Sequence, residues 1–327
     1  MNFSFTDEQD AFRAEARRFL SERVDVRAQL AMPGAHDPAL WKEMASQGWL
    51  GFGVPESHGG QGASLVDVCI LLEESGRALL PGPLLPHTIA SLALSRTETF
   101  GGDLLRSMAT GETVGTCAED LGGPVPCGAV ADVVAVLRFR EPGVLRQGTF
   151  EAAEIETADL TRPAARITPS ADPEALAKPV PLLPVACVAL AAESVGAAAA
   201  TLTMAVSYAK EREQFDRPIG SFQAIKHKAA DMLRAVEAAR LTVYYAASAI
   251  DSGDADAHVA AAMAKVAAND AFTRCAAENI QIHGGIGVTW EHDAHLYYRR
   301  ALASAAMFGE SSGGRDLVAR ALLAELG

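Results

Sequence analysis

Hydrophobic positions repeat with helical spacing through the first third of this chain, give way to short Val-rich runs, and return to helical spacing over longer stretches toward the end. Thr6 followed by Gln9 is a capping-box pattern that opens a helix through about Val24. Asp37 before Pro38 reads as an N-cap and first helical position, with Gly48 where that short helix stops. VPESHGGQG, from Val54 to Gly62, is a turn-rich loop; Ser64 with Asp67 then starts a helix to about Leu80, ended by Pro81, Gly82 and Pro83. Helical text resumes through about Met108. From Glu112 the runs ETVGTCA (112–118) and AVADVVAVLRF (129–139) lie between Gly and Pro breakers and read as strands. Helices are expected over 185–212, 221–251, 255–282, 292–307 and 312–325, with Ser221 as an N-cap and Gly253 near a break. The pattern predicts a mainly α fold with a small β domain: an N-terminal helical domain (1–111), a short middle β domain (112–183) and a C-terminal four-helix-type bundle (184–327).

Composition agrees with a helical reading, since 49% of residues are hydrophobic, alanine is abundant and aromatics reach only 6%. A formal net charge of −13, from 28 basic and 41 acidic residues with no basic run, argues against nucleic acid as a partner. The five cysteines are scattered with no C-x-x-C spacing, so reduced thiols are expected rather than disulfides or a zinc site. His292 and His295 form an i, i+3 pair without a third ligand, and no metal is expected. The N-terminus is too polar for a signal peptide, and no apolar run is expected to approach the roughly 18 residues that span a bilayer. A cytoplasmic protein away from membranes is the expectation.

Three segments carry a family resemblance. WKEMASQGWLGFGVPESHGGQGASLVDVCILLEESGRAL (41–79), AKEREQFDRPIGSFQAIKHKAADM (209–232) and QIHGGIGVTWEHDAHLYYRRA (281–301) occur in this order over most of the chain. Together they resemble the acyl-CoA dehydrogenase family, whose fold has the same succession of domains. The resemblance implies FAD as cofactor, an acyl-CoA thioester as substrate and electron-transfer flavoprotein as acceptor. It assigns Arg212 to the dinucleotide pyrophosphate, which a guanidinium fork matches with paired donors. Phe215 would pack against the cofactor, Gln223 and Gln281 would hydrogen-bond to it, and Gly284 and Gly285 would admit its adenosine end close to main chain. In the family these groups reach across a subunit interface to an FAD held mainly by the neighbour. Taken singly, Arg212 would be a solvated helix-end charge and Gly284 and Gly285 a helix C-cap.

The sequence also departs from the family. Its reaction needs a carboxylate over the substrate α-carbon, and that position falls on Phe308, with Glu310 two residues on. The alternative base position, ten residues before Gly196, holds Ala186. CAEDLGGPVPCG (117–128) replaces the T-E-P-x-x-G-S-D type stretch that contacts flavin, and no Trp lies between Trp49 and Trp290. No catalytic residue is therefore assigned. The chain is expected to offer an intact half-site to a neighbour's FAD while its own is degraded. This resembles the shortened subunit of heterotetrameric (α2β2) acyl-CoA dehydrogenases of bacterial steroid catabolism, paired with a full-length subunit that supplies the catalytic glutamate. The alternatives are a homomeric enzyme using Glu310 or Glu193 as base, and a non-catalytic assembly protein without flavin.

Overall fold

The computed structural model describes residues 5–97, 102–137, 142–176 and 182–325. The N-terminal helices are α1 (Asp7–Arg23), α2 (Val26–Leu30), α3 (Pro38–Ser46), α4 (Leu65–Arg77), α5 (Leu84–Ser95) and α6 (Gly102–Ala109). Their starts lie where side chains serve the free N–H groups. The Gln9 amide N–H donates to Thr6 Oγ1 at 3.2 Å, and Thr6 N–H donates to Gln9 Oε1 at 3.1 Å. Asp37 accepts from Ala39 and Leu40, and Ser64 with Asp67 forms a second box. Helix α4 ends at Arg77, short of the expected Leu80, because Leu79 turns left-handed at φ 49°.

The middle region is two small sheets. One has the order β1 (Gly115–Ala118), β3 (Val133–Val136), β4 (Gly143–Arg146) and β7 (Glu174–Ala175); the other has β2 (Val125–Pro126), β6 (Ala164–Pro169) and β5 (Phe150–Ile155). Strand β1 runs parallel to β3, and the other pairings are antiparallel. Alternation on β3 explains its unbroken apolar text. Val134 and Val136 pack with Val125, Leu145 and Ile167 between the sheets, while Val133 and Ala135 join the large helical core. The end of the expected second strand run, at Arg138 and Phe139, lies outside the described residues.

The bundle is α7 (Leu182–Glu211), α8 (Gln223–Asp251), α9 (Ala257–His283), α10 (Ala294–Ala306) and α11 (Ser311–Glu325). Helix α7 is its axis, packed on α4, α5, α8, α9 and α10. It corrects the expectation about apolar runs, being long and apolar enough to cross a membrane by length and composition. Its apolar window is 89% buried within the fold, so it is the core helix of the bundle. Helices α4 and α7 cross with backbones almost touching. A Cβ on Gly76 would lie 1.9 Å from Glu193 O, and one on Gly196 would lie 1.7 Å from Glu73 O. The expected cap at Ser221 is also corrected. Helix α8 begins at Gln223 after Phe222, whose side chain makes no cap bond, because residues 219–221 form a separate 3-10 turn.

Candidate functional site

The ends of three bundle helices converge at one end of the molecule. After α7, Arg212 N–H donates to Tyr208 O and Ile219 N–H donates to Arg212 O, both at 2.8 Å. Between these bonds the chain makes a tight hairpin of β8 (Glu213–Gln214) and β9 (Arg217–Pro218). Phe215 and Asp216 form its tip at φ 54° and 59°, the double left-handed turn that matches the twist of a two-residue hairpin. That turn holds the Phe215 ring in solvent at 86% exposure, edge-on to Phe222, over which the Arg217 guanidinium lies 4.1 Å from the ring centroid. The Arg212 side chain is exposed and has no ion-pair partner among the described residues. Gln223, in the first turn of α8, sits with its amide nitrogen 3.2 Å from His227 Nε2.

At the end of α9, Gln281 is exposed and Gly284 caps the helix at φ 64°, ψ −140°, a backbone region that belongs to glycine. A Cβ added at Gly284 or Gly285 meets nothing within 4 Å. The chain itself therefore does not require Gly285 to be bare, and the space in front of it is open. Sequence reasoning missed what steadies this turn. His283 lies 2.8 Å by Nδ1 from Asn279 O, stacks on Tyr208 at 4.2 Å and meets His292 at 4.3 Å. The signal was present, since Tyr208 stands one helical turn before Arg212 and His283 immediately before Gly284. Between the helix ends lies a shallow cavity of about 250 Å³ bordered by Lys210, Gly220, Ile225, Lys226 and Ile282. Arg212, Phe215, Gln223, Gln281, Gly284 and Gly285 thus all belong to this end, with ammonium groups nearby.

A second, larger cavity of about 570 Å³ lies between the middle region and α10. The two segments that depart from the family's text meet there. Cys117, Glu119, Asp120 and Pro124 form one wall, and Ala303, Met307 and Phe308 another. Phe308 is buried in a left-handed conformation at φ 56°, and Lys265 Nζ donates to the carbonyl of the next residue, Gly309. Burial pushes the Cys117 thiol up to about 12, so it is no nucleophile. Glu310 is exposed, 3.4 Å from Ser312 Oγ, and outside the cavity wall. Ala186 is buried in α7.

Glu193 has a different place from that of a base. Its Oε2 takes Arg162 Nη1 at 2.9 Å and its Oε1 takes Arg300 Nη1 at 3.2 Å, with the side chain 6% exposed. Arg162 Nη2 donates to Ser304 Oγ at 2.8 Å, and Arg300 also donates to Leu80 O and Thr161 Oγ1. One buried network thus ties the N-terminal helices, the middle region and the bundle together. Both oxygens of this carboxylate are taken by guanidinium groups, so its acceptor sites are committed to the fold rather than open to a substrate. Among the described residues no three His, Cys, Asp or Glu side chains are grouped to hold a metal.

Two family models match: "Acyl-CoA dehydrogenase, N-terminal domain" over residues 6–112 and "Acyl-CoA dehydrogenase, C-terminal domain" over residues 182–323. The chain is similar to the acyl-CoA dehydrogenase IpdE2 of Mycobacterium tuberculosis, at 40% identity over 86% of each chain. Among solved structures it resembles the Tcur3481-Tcur3483 steroid ACAD, with TM-score 0.89 and 30% identity over 98% of both chains. It also resembles the ChsE4-ChsE5 complex of Mycobacterium tuberculosis, with TM-score 0.86 and 25% identity over 99% of this chain.

Proposed function

Because this chain belongs to the acyl-CoA dehydrogenase family, we propose that it is the subunit of a hetero-oligomeric, FAD-dependent acyl-CoA dehydrogenase that completes its partner's cofactor site and brings no base of its own. The observation that carries this reading is the contrast between the two cavities. The helix-end site offers an unpaired guanidinium, exposed amides and open space at Gly284 and Gly285, which fit a dinucleotide presented by another subunit. The larger cavity offers the Asp120 carboxylate, which repels the phosphates of a dinucleotide, and Phe308 where the family's base stands. It does not fit FAD.

In the partner's site, Arg212 would pair with pyrophosphate oxygens through its planar fork, and Gln281 and Gln223 would donate amide hydrogen bonds. Phe215 would cover an apolar face of the cofactor and exclude water. Bound FAD would supply the hydride acceptor for α,β-desaturation of an acyl-CoA. The likeness to a steroid ACAD and to a two-protein complex supports a full-length partner subunit in an α2β2 assembly and a bulky ring-bearing acyl group. Electron-transfer flavoprotein is the proposed acceptor.

The test is a flavin count. Purified with its partner, the complex should hold about one FAD per unlike pair, and this chain alone should hold almost none. Stoichiometric flavin in the isolated chain would defeat the reading.

A further inference from the structure

Helix α8 carries a stripe that no described residue covers. Ala230, Arg234, Glu237 and Leu241 follow one another at intervals of four, three and four residues, so they share one face, and all four are exposed. Leu241 is 59% exposed, and Leu233, 51% exposed, flanks the same face. The helix buries its other apolar positions against the bundle, at Met232, Val236, Ala239 and Val243. Two leucines left in water on such a helix, beside a matched set of charges, mark a surface built for contact.

Those charges are not matched within the chain. Arg234 has a carboxylate one turn away on either side, but Asp231 is paired with Arg274 at 2.9 Å and Glu237 accepts from Arg240. Arg234 itself has no ion pair among the described residues. Glu237 gives Arg240 only its Oε1, and its Oε2 accepts nothing among the described residues, on a side chain that is 53% exposed. The stripe therefore reads small, basic, acidic, large. Reversed and laid on itself, about a two-fold axis at the midpoint between Ala235 and Val236, it sets Ala230 of one copy beside Leu241 of the other, and Arg234 beside Glu237. Each pair occurs twice, so small meets large at both ends and base meets acid at both places between. A parallel pairing would instead set Arg234 beside Arg234 and Glu237 beside Glu237. The leucines border the two ion pairs and exclude water from them, which strengthens a contact that is weak in solvent.

We propose that this face of α8 is an interface between two copies of this chain, packed antiparallel about that axis. In the assembled enzyme the two shortened subunits then touch each other as well as their full-length partners. Only the assembly rests on the functional reading above; the pairing itself needs this chain alone. Gln223, offered to the partner's cofactor, stands in the first turn of α8, and the stripe begins about two turns later. One helix thus serves both contacts.

The test is a designed disulfide in the assembled complex, with Ala230→Cys and Leu241→Cys introduced together. The two positions lie about 16 Å apart along the helix, far beyond the roughly 7 Å that a disulfide spans between Cα atoms, so they cannot bridge within one chain. The native cysteines are all buried and do not compete. Mild oxidation should yield a species that contains two copies of this chain by mass spectrometry. Neither single variant should form it, since residue 230 meets residue 241 and not itself. No bridge in the double variant, or an equal yield from either single variant, overturns the proposal. Arg234→Glu sets carboxylate against carboxylate at both central places, and should halve the mass of the complex in light scattering with FAD per unlike pair unchanged. Undiminished mass in that folded variant overturns the proposal too. One FAD per unlike pair without the bridge defeats this interface alone. Stoichiometric flavin in the isolated chain defeats the functional reading, and the bridge, which is read without flavin, still decides the pairing.

Discussion

Arg212 and Glu310 illustrate how far a single residue can be read from text. That Arg212, Phe215 and Gln223 lie close together was legible because one short segment carries all three and folds as a hairpin and a helix start. In the assembled enzyme Arg212→Ala should lower FAD affinity about ten- to a hundredfold, as loss of a charge-assisted contact does. Flavin content at limiting FAD checks this, and full occupancy in the variant would remove Arg212 from the site. Glu310 lies two residues beyond the family's base position but outside the larger cavity. Glu310→Gln should therefore change single-turnover flavin bleaching by less than about tenfold, while a loss beyond about a hundredfold at full flavin occupancy would make Glu310 the base. The buried partners of Glu193 were not legible. Arg162 and Arg300 are distant in sequence and meet it only when the middle region and α10 dock on α7. A helix pattern records which face of Glu193 is buried, never which guanidinium will face it.

At the level of elements, caps and periodicity located most helices because those signals are local, as at Thr6, Asp37 and Ser64. Ser221 was misread because the same cap residue also suits a 3-10 turn, and the chain closes one before α8 begins. The crossing of α4 and α7 was hidden for another reason. A glycine inside a helix looks like a weak point in sequence, whereas Gly76 and Gly196 are the places where two backbones meet. Gly196→Ala would gain helix propensity and still destabilise the fold, because its methyl group would lie 1.7 Å from a carbonyl oxygen that no rotamer can move. The expected cost is about 3 kcal/mol or more, at the top of the usual overpacking range. A thermal melt that leaves Tm unchanged in this variant would mean that the crossing is looser than described.

For the whole molecule, the succession of helices, strands and bundle was readable because hydrophobic period changes sharply at both boundaries of the middle region. The two cavities were not, since each is walled by segments far apart in the chain. The gap in front of Gly285 has a consequence for heredity. No described residue fills that gap, so on the proposed reading a bulkier residue there, such as valine, meets no clash within its own subunit while blocking the cofactor of the neighbouring one. On the proposed reading, such an allele is worse than a deletion wherever a normal copy is also expressed. Its product competes for every available partner and silences those that it captures, a dominant defect carried by a residue that takes no part in the chemistry.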